Sequence, residues 1–481
     1  MAEPGATALR RLSPAARFGL GAALLCVLSL AFFWPGVALY DSVSQYQQVV
    51  SGAYHDWHPP IMARLWSLFR GAGWHGQSPM FALQQLLYWG GLGLIAAALA
   101  KNGARKAAVA VLALGMWPPF LAWDAAVLKD GQMASAMLAA TGLVGWRWLT
   151  GQELRGIDRA AVILLLGYAV LVRANAIFAV APLAVGLLAP WEWRRWPTRF
   201  ALIALGTLAV LAMAPRINHG LLGAEASGVE ATQPIFDMAG IAHRAGPDAV
   251  PLLSRGTWQK VDAERCYTPV FWDVFASGRR CGFIQDDLEG RPTREIFMGW
   301  TGAIRAHPGA YASHRLAHWN MTMRWLVPWH LPLARPEAGS EPNDFGLGSP
   351  ARIVEPYDAL AGELIDSPLG APILALAAAL AVLALARPAT SPAHALAVPL
   401  ALSAAAMELS FLVVSISSDW RYHLWSMLAA WLAGILLLTR PVPRRPARIA
   451  LALLLLVGVT SLAGRILLPS IGDNYEDLIG D

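Results

Sequence analysis

Charge is what this 481-residue chain has least of: Asp, Glu, Lys and Arg make up 14% of it, while 56% is hydrophobic. An average soluble domain carries roughly a quarter charged residues, so an ordinary water-facing globular surface is excluded. Cysteine is also scarce. With three cysteines in all, a disulfide-dense scaffold is ruled out, and none of them has zinc-ligand spacing. Long basic tracts are missing: the net charge of +5 comes from short Lys/Arg clusters between apolar blocks, so nucleic acid is not an expected partner. No internal repeat is evident, and Ala/Leu richness is the only compositional bias.

What is present is a series of apolar blocks of about 17 to 25 residues, the length a helix needs to cross about 30 Å of hydrocarbon. Spans are expected near 18–37, 80–100, 106–123, 131–149, 159–172, 175–190, 199–215, 368–386, 394–416, 423–439 and 448–468. The fold class is therefore an all-α polytopic membrane protein with about eleven transmembrane helices. Its first partner is the lipid bilayer. The block Phe18 to Val37 follows Arg10, Arg11 and Arg17; it outruns a signal-peptide core and lacks a small-residue cleavage site, so it reads as a retained signal anchor.

Basic residues orient these spans. With the N-terminus cytoplasmic, the inside turns carry Lys101, Arg105 and Lys106; Arg147, Arg155 and Arg159; Arg194, Arg195 and Arg199; Arg387; and Arg440, Arg444, Arg445 and Arg448. Each inside turn is basic, as the positive-inside rule requires. The acidic tail, with Asp473, Glu476, Asp477 and Asp481, then lies outside. The expected location is the inner (plasma) membrane, multi-pass, N-terminus cytoplasmic and C-terminus extracytoplasmic. Three parts follow: an N-terminal transmembrane catalytic module over 1–215 with an interfacial loop 38–79, an extracytoplasmic domain over 216–367 between spans 7 and 8, and a C-terminal transmembrane module over 368–481.

The loop domain is expected to be mostly helical or irregular, with amphipathic pieces such as Gly302 to Trp319. Cys266 and Cys281 lie within it, and an oxidising compartment would permit their pairing; two free thiols are the alternative.

Polar residues gather in the outward turns. The first carries Asp41, then His55, Asp56 and His58 before Pro59-Pro60 and an interfacial helix from Ile61 to Phe69. A carboxylate at the end of a span is placed to act as a base, although Asp41 also suits an N-cap for a helix starting near Ser42. The two imidazoles and Asp56 suit a phosphate, a sugar or a divalent metal, or merely a turn. The second turn holds Asp124, Lys129 and Asp130, the third Arg173 and Asn175, and the fourth Asp419, Arg421 and Tyr422. Charge at such depth needs a partner, and Arg173 calls for an aspartate or a phosphate. Chemistry is thus expected on the outer face.

An aspartate shortly after the first span, an interfacial helix, a later Asp/Lys turn, Arg-x-Asn between short spans and a late Asp-x-Arg-Tyr resemble the type C glycosyltransferase superfamily, in a poorly characterised bacterial branch. The resemblance implies a transferase that moves a sugar from a polyprenyl-phosphate donor to an acceptor hydroxyl on a glycan or lipid, with inversion. Asp41 would be the base, Arg173, Lys129 and Arg421 would hold the donor phosphate, and Asp124 or Asp130 would position the acceptor or a metal. Members often have a second acid beside the first aspartate; Ser42 stands there instead, which leaves a divalent Mg or Mn open. The competing expectation is a transporter or flippase for a lipid-linked sugar or small solute, which would place polar groups near the bilayer midplane.

Overall fold

The computed structural model describes residues 12–188, 195–386 and 391–470, together with Tyr475 and Ile479. The basic residues Arg10, Arg11, Arg194 and Arg387, and the acidic Asp473, Glu476, Asp477 and Asp481, lie outside the described residues. Among those described, secondary structure is helical, with three isolated β-bridges and no extended strand.

Ser13 starts the first helix, α1 (Pro14–Phe33), by accepting a hydrogen bond from the Ala16 N–H. The helix stops at Phe33, short of the expected Val37, because Pro35 follows. Gly36, at φ +93°, turns the chain beneath Phe81, whose ring atoms would lie 2.8 Å from any Cβ there. Two short helices follow, α2 (Tyr40–Ser51) and α3 (Ile61–Gly71). α2 begins at Tyr40, so Asp41 occupies its first turn rather than the N-cap position expected for it; Leu39 is the cap residue. There the carboxylate faces the positive end of the helix dipole.

α4 (Ser78–Lys101) packs against α1 and against α7 (Lys129–Leu149). Glycines allow the close approach of α4 and α7: a Cβ on Gly91 would meet the Leu138 carbonyl oxygen at 2.5 Å. Between them the expected span 106–123 is two helices, α5 (Arg105–Gly115) and α6 (Pro118–Ala125), bent by 49°. Pro118 and Pro119 lack the N–H groups that would continue the ladder. α8 (Gly156–Val172) and α9 (Ile177–Leu188) are separated by the break at Arg173 to Ala176, and α10 (Trp196–Pro215) follows.

A second helical unit, here the distal unit, comes next: α11 (Thr232–Ala245), α12 (Arg255–Ala263), α13 (Phe283–Leu288), α14 (Thr293–Ala306) and α15 (Pro308–Thr322). The expected continuous piece Gly302 to Trp319 is divided at His307 because Pro308 cannot extend the helix. This unit has its own core around Phe236, Trp258, Phe271 and Phe275, and Cys266 and Cys281 are joined there by a disulfide. The rest of the expected loop domain behaves differently. Ala334, Leu347, Val354 and Ile365, leading into and along α16 (Glu355–Asp366), belong to the core of the helical bundle.

α17 (Pro372–Leu385), α18 (Pro392–Ser410), α19 (Leu424–Leu437) and α20 (Arg444–Leu467) complete the chain. Among the described residues every expected span overlaps a helix or helix pair, although the one expected over 394–416 ends at Ser410. Among the described residues, five helices are long and apolar enough to cross a membrane, or six counting the bent pair as one span. The three most exposed of them present leucines to the surroundings: none of the apolar window of α10, 17% of that of α20 and 22% of that of α1 is buried. Exposed apolar faces of that extent would be costly in water.

Candidate functional site

Backbone pairing brings the charged turns together. Val37 and Ala126 form a parallel bridge, with the Val127 N–H donating to the Val37 carbonyl at 2.8 Å. The Ser42 hydroxyl donates to the Val127 carbonyl at 2.6 Å. These contacts set the first turn of α2 against the start of α7. On the opposite side, Phe271 and Ser417 form an antiparallel bridge. Through it the distal unit holds the 417–423 turn, and the buried Arg324 donates to the Ser418 carbonyl at 3.4 Å.

The result is a compact charge cluster. Asp41 lies 3.4 Å from Lys129 Nζ, 3.3 Å from Arg421 Nη2 and 3.8 Å from His58 Nε2. Arg421 Nε is 2.6 Å from Asp419 and 3.9 Å from Asp130. Asp130 is 2.5 Å from Arg173 Nη1, whose Nε donates to Asn175 Oδ1 at 2.9 Å. Arg173 also stacks over Tyr422, 4.0 Å from the ring centre. Asp41, Asp130 and Asp419 thus balance Lys129, Arg173 and Arg421, drawn from four separate turns.

Protonation follows from this geometry. Burial alone would raise the Asp41 carboxyl, but Lys129, Arg421 and His58 outweigh it and hold it well below the usual carboxylate range. Burial, then the Lys129 ammonium, push the His58 imidazole down to about 3, so it is neutral near pH 7. Because a lysine ammonium only donates, His58 Nδ1 is its acceptor at 2.7 Å, and the ring proton sits on Nε2, facing Asp41. Burial raises Asp419 despite Arg421.

Two of the candidate residues lie elsewhere. Asp124 is fully buried between helices α4, α6 and α7, where Gln85 Nε2 and the Ser135 hydroxyl each donate to its carboxyl at 2.9 Å. It has no part in the cluster, because at the end of α6 its carboxyl turns inward to Gln85 and Ser135 rather than toward Lys129. Asp56 points away as well: it accepts from Ser227 N and Oγ, both at 2.7 Å, and lies 3.4 Å from His219. It fastens the first loop to the segment after α10. His55 stands between, its backbone N–H donating to Gln48 Oε1. Among the described residues no group of three or more His, Cys, Asp or Glu side chains converges, and each cluster carboxylate already faces a Lys or Arg.

One acidic residue of the site was not expected. Asp273, from the distal unit, accepts from the Tyr475 hydroxyl at 2.8 Å and is raised to about 6 by burial, with the charges of Asp419, Arg421 and Asp41 also acting on it. Nothing near Asp273 in the sequence distinguishes it from other loop acids. Its position depends on the bridge at Phe271.

An apolar groove of about 350 Å³ runs between α8, α9 and α10, lined by residues including Ile163, Val170, Ile177, Ala181, Gly206 and Met213. Val170, Leu171 and Ile177 at one end flank the break that carries Arg173. The α9 wall, from Ile177 to Leu188, is about 16 Å long at the rise of an α-helix. Comparison with protein-family models, curated proteins and solved structures finds no match to this chain, and no family assignment follows from it.

Proposed function

We propose that this chain is a multi-pass membrane glycosyltransferase acting at the face that carries Asp41, with a polyprenyl-phosphate-linked sugar as donor. The observation that carries this is the meeting of an apolar groove, with Arg173 at its end, and a charge cluster in which Asp41 faces Lys129 and Arg421. A lipid phosphate needs those features in that order: hydrocarbon walls for the tail, then cations for the headgroup, then a base beyond the phosphate. All the helices at the expected positions are taken as spans on this reading, about eleven in number, with the Asp41 end extracytoplasmic.

The chemistry then runs as one displacement. The acceptor hydroxyl oxygen attacks the anomeric carbon, its proton passes to the Asp41 carboxylate, and the bond from that carbon to the phosphate oxygen breaks. The electron pair leaves on the polyprenyl phosphate, where Arg173, Lys129 and Arg421 stabilise it by charge-assisted hydrogen bonds. In the structure Asp41 is a weak base because Lys129 and Arg421 hold it ionised. A phosphate that draws these cations toward itself would release Asp41 and restore its basicity. His58, neutral and with its Nε2 proton toward Asp41, would orient the carboxylate. No step is routed through a metal.

The test is transfer from a short-chain polyprenyl-phosphoryl sugar by purified protein and its Asp41→Asn variant. Loss of about 10²–10⁴ in rate with unchanged abundance is expected, and full activity in the variant would refute the role of Asp41. A transporter or flippase is the second reading. It draws on one observation, the polar chain inside the bundle from Asp124 through Gln84 and Gln132 to Tyr168, whose hydroxyl donates to Gln132 at 3.1 Å. Transport of a lipid-linked sugar across vesicles that stops in Asp124→Asn and continues in Asp41→Asn would favour it.

A further inference from the structure

Along α2, Asp41, Gln45 and Gln48 recur at spacings of four and three, which places them on one face of the helix. That face meets the 55–58 loop: Gln48 Oε1 accepts the His55 N–H at 3.2 Å, and His58 reaches Asp41. Gln45 is 0% and Gln48 3% exposed. Among the described residues, both amide atoms of Gln45, Nε2 of Gln48, Nδ1 of His55 and Nε2 of His58 are buried without a hydrogen-bond partner. Buried polar groups are nearly always paired, so five such atoms gathered on one face and its facing loop call for a shared partner.

These groups are amides and imidazole rings rather than lysines or arginines, so they are not built to select an anion. A primary amide offers a donor and an acceptor side by side, which matches two neighbouring hydroxyls, one accepting and one donating. An apolar face accompanies them. Trp57, within the same loop, is 36% exposed by comparison with its buried partner Trp272, 5.8 Å away between ring centres. Hydroxyls on an edge and C–H groups on a face are the chemistry of a sugar ring.

We infer that Gln45, Gln48, His55 and His58, with Trp57 at the rim, form a binding subsite for a sugar ring beside Asp41. The inference rests on the transferase reading for its place in a reaction, but ring binding does not require transfer to occur. The subsite lies one and two turns along α2 from the carboxylate, so an occupant would present a hydroxyl or an anomeric carbon to Asp41.

The experiment is saturation-transfer NMR on the full-length protein in detergent, with methyl glycosides of glucose, mannose, galactose and arabinose as probes. At least one is expected to bind wild type and to bind about tenfold more weakly to Gln45→Leu and Gln48→Leu. Trp57→Ala, which alters only a rim position, is expected to weaken it as well and guards against loss through misfolding. Equal binding in all three variants, or no binding of any probe to wild type, would overturn the subsite. Binding that needs both glutamines while no transfer can be measured would leave the subsite standing and remove the transferase. Transfer with unchanged KM in the glutamine variants would do the reverse. With a farnesyl-phosphoryl sugar, slowed hydrolysis to water in these variants assigns the ring to the donor, and unaltered hydrolysis with weakened glycoside binding assigns it to the acceptor.

Discussion

Lys129 Nζ sits between two groups of the first loop, 3.4 Å from Asp41 Oδ2 and 2.7 Å from His58 Nδ1. A cation at the N-terminus of a helix opposes the helix dipole, and Asp41 offsets that cost. The pair thereby couples the Asp41 carboxylate to the packing of α7. Replacing Lys129 by Met is expected to lower thermal stability, and adding Asp41→Asn to recover part of the loss. A double-mutant cycle by scanning fluorimetry in detergent should give a coupling of about 1–3 kcal/mol, and strict additivity of the two changes would contradict the pairing.

Acid sensitivity is expected from His58. Its imidazole is held at about 3 in the fold, against about 6.5 in an unfolded chain. Between these values the unfolded chain binds a proton that the folded one refuses, so stability falls as pH drops from about 6.5 toward 3. His58→Gln keeps an acceptor for Lys129 and removes the titration. Thermal melts from about pH 6.5 to 4.5 should show a shallower acid slope in the variant, and identical slopes would rule His58 out as the cause.

The groove makes its own prediction. Gly206 lines it, and a Cβ built there meets nothing within 4 Å. Gly206→Phe should therefore fold normally, and exchanging glycine for a better helix former gains a few tenths of a kcal/mol or more. It should raise KM for a long-chain donor while leaving kcat nearly unchanged, since only lipid binding is impaired. Unaltered KM for the long-chain donor would show that the tail lies elsewhere.

The disulfide closes a 15-residue separation between Cys266 and Cys281. Loop-closure entropy assigns such a crosslink about 3 kcal/mol. A Cys266→Ser, Cys281→Ser double variant should lose that stability from the distal unit, detected as faster proteolysis between α11 and α15. Since this unit holds the 417–423 turn, donor phosphate binding should weaken with it. Unchanged proteolysis would mean that the core around Phe236 and Phe271 suffices.

The large features follow from one-dimensional pattern. Apolar run length sets where the helices fall, and turns between runs must carry the groups that cannot enter hydrocarbon, which is why Asp41, Lys129, Arg173 and Arg421 were recognisable before any fold was known. Prolines mark the breaks at Phe33, Met116 and His307, and the expected spans 18–37 and 106–123 and the piece Gly302 to Trp319 each run through one of them. Depth along the chain is a poor guide to lateral position, however. Asp124 and Asp130 stand close in sequence, yet helix α6 carries one into the bundle and the start of α7 delivers the other to the cluster. Asp56 and His58 are two apart and face opposite ways.

Composition and periodicity by themselves determined that this chain is helical, where its apolar helices lie and which turns hold charge, because burial of apolar length is a local property of the sequence. Only the tertiary structure decided which charges meet. The bridges at Val37–Ala126 and Phe271–Ser417 bring distant turns together, recruit Asp273, leave Asp124 and Asp56 aside, and turn the unpartnered faces of Gln45 and Gln48 toward the loop that carries His55 and His58. Those outcomes depend on long-range contacts between segments whose own sequences are silent about their partners.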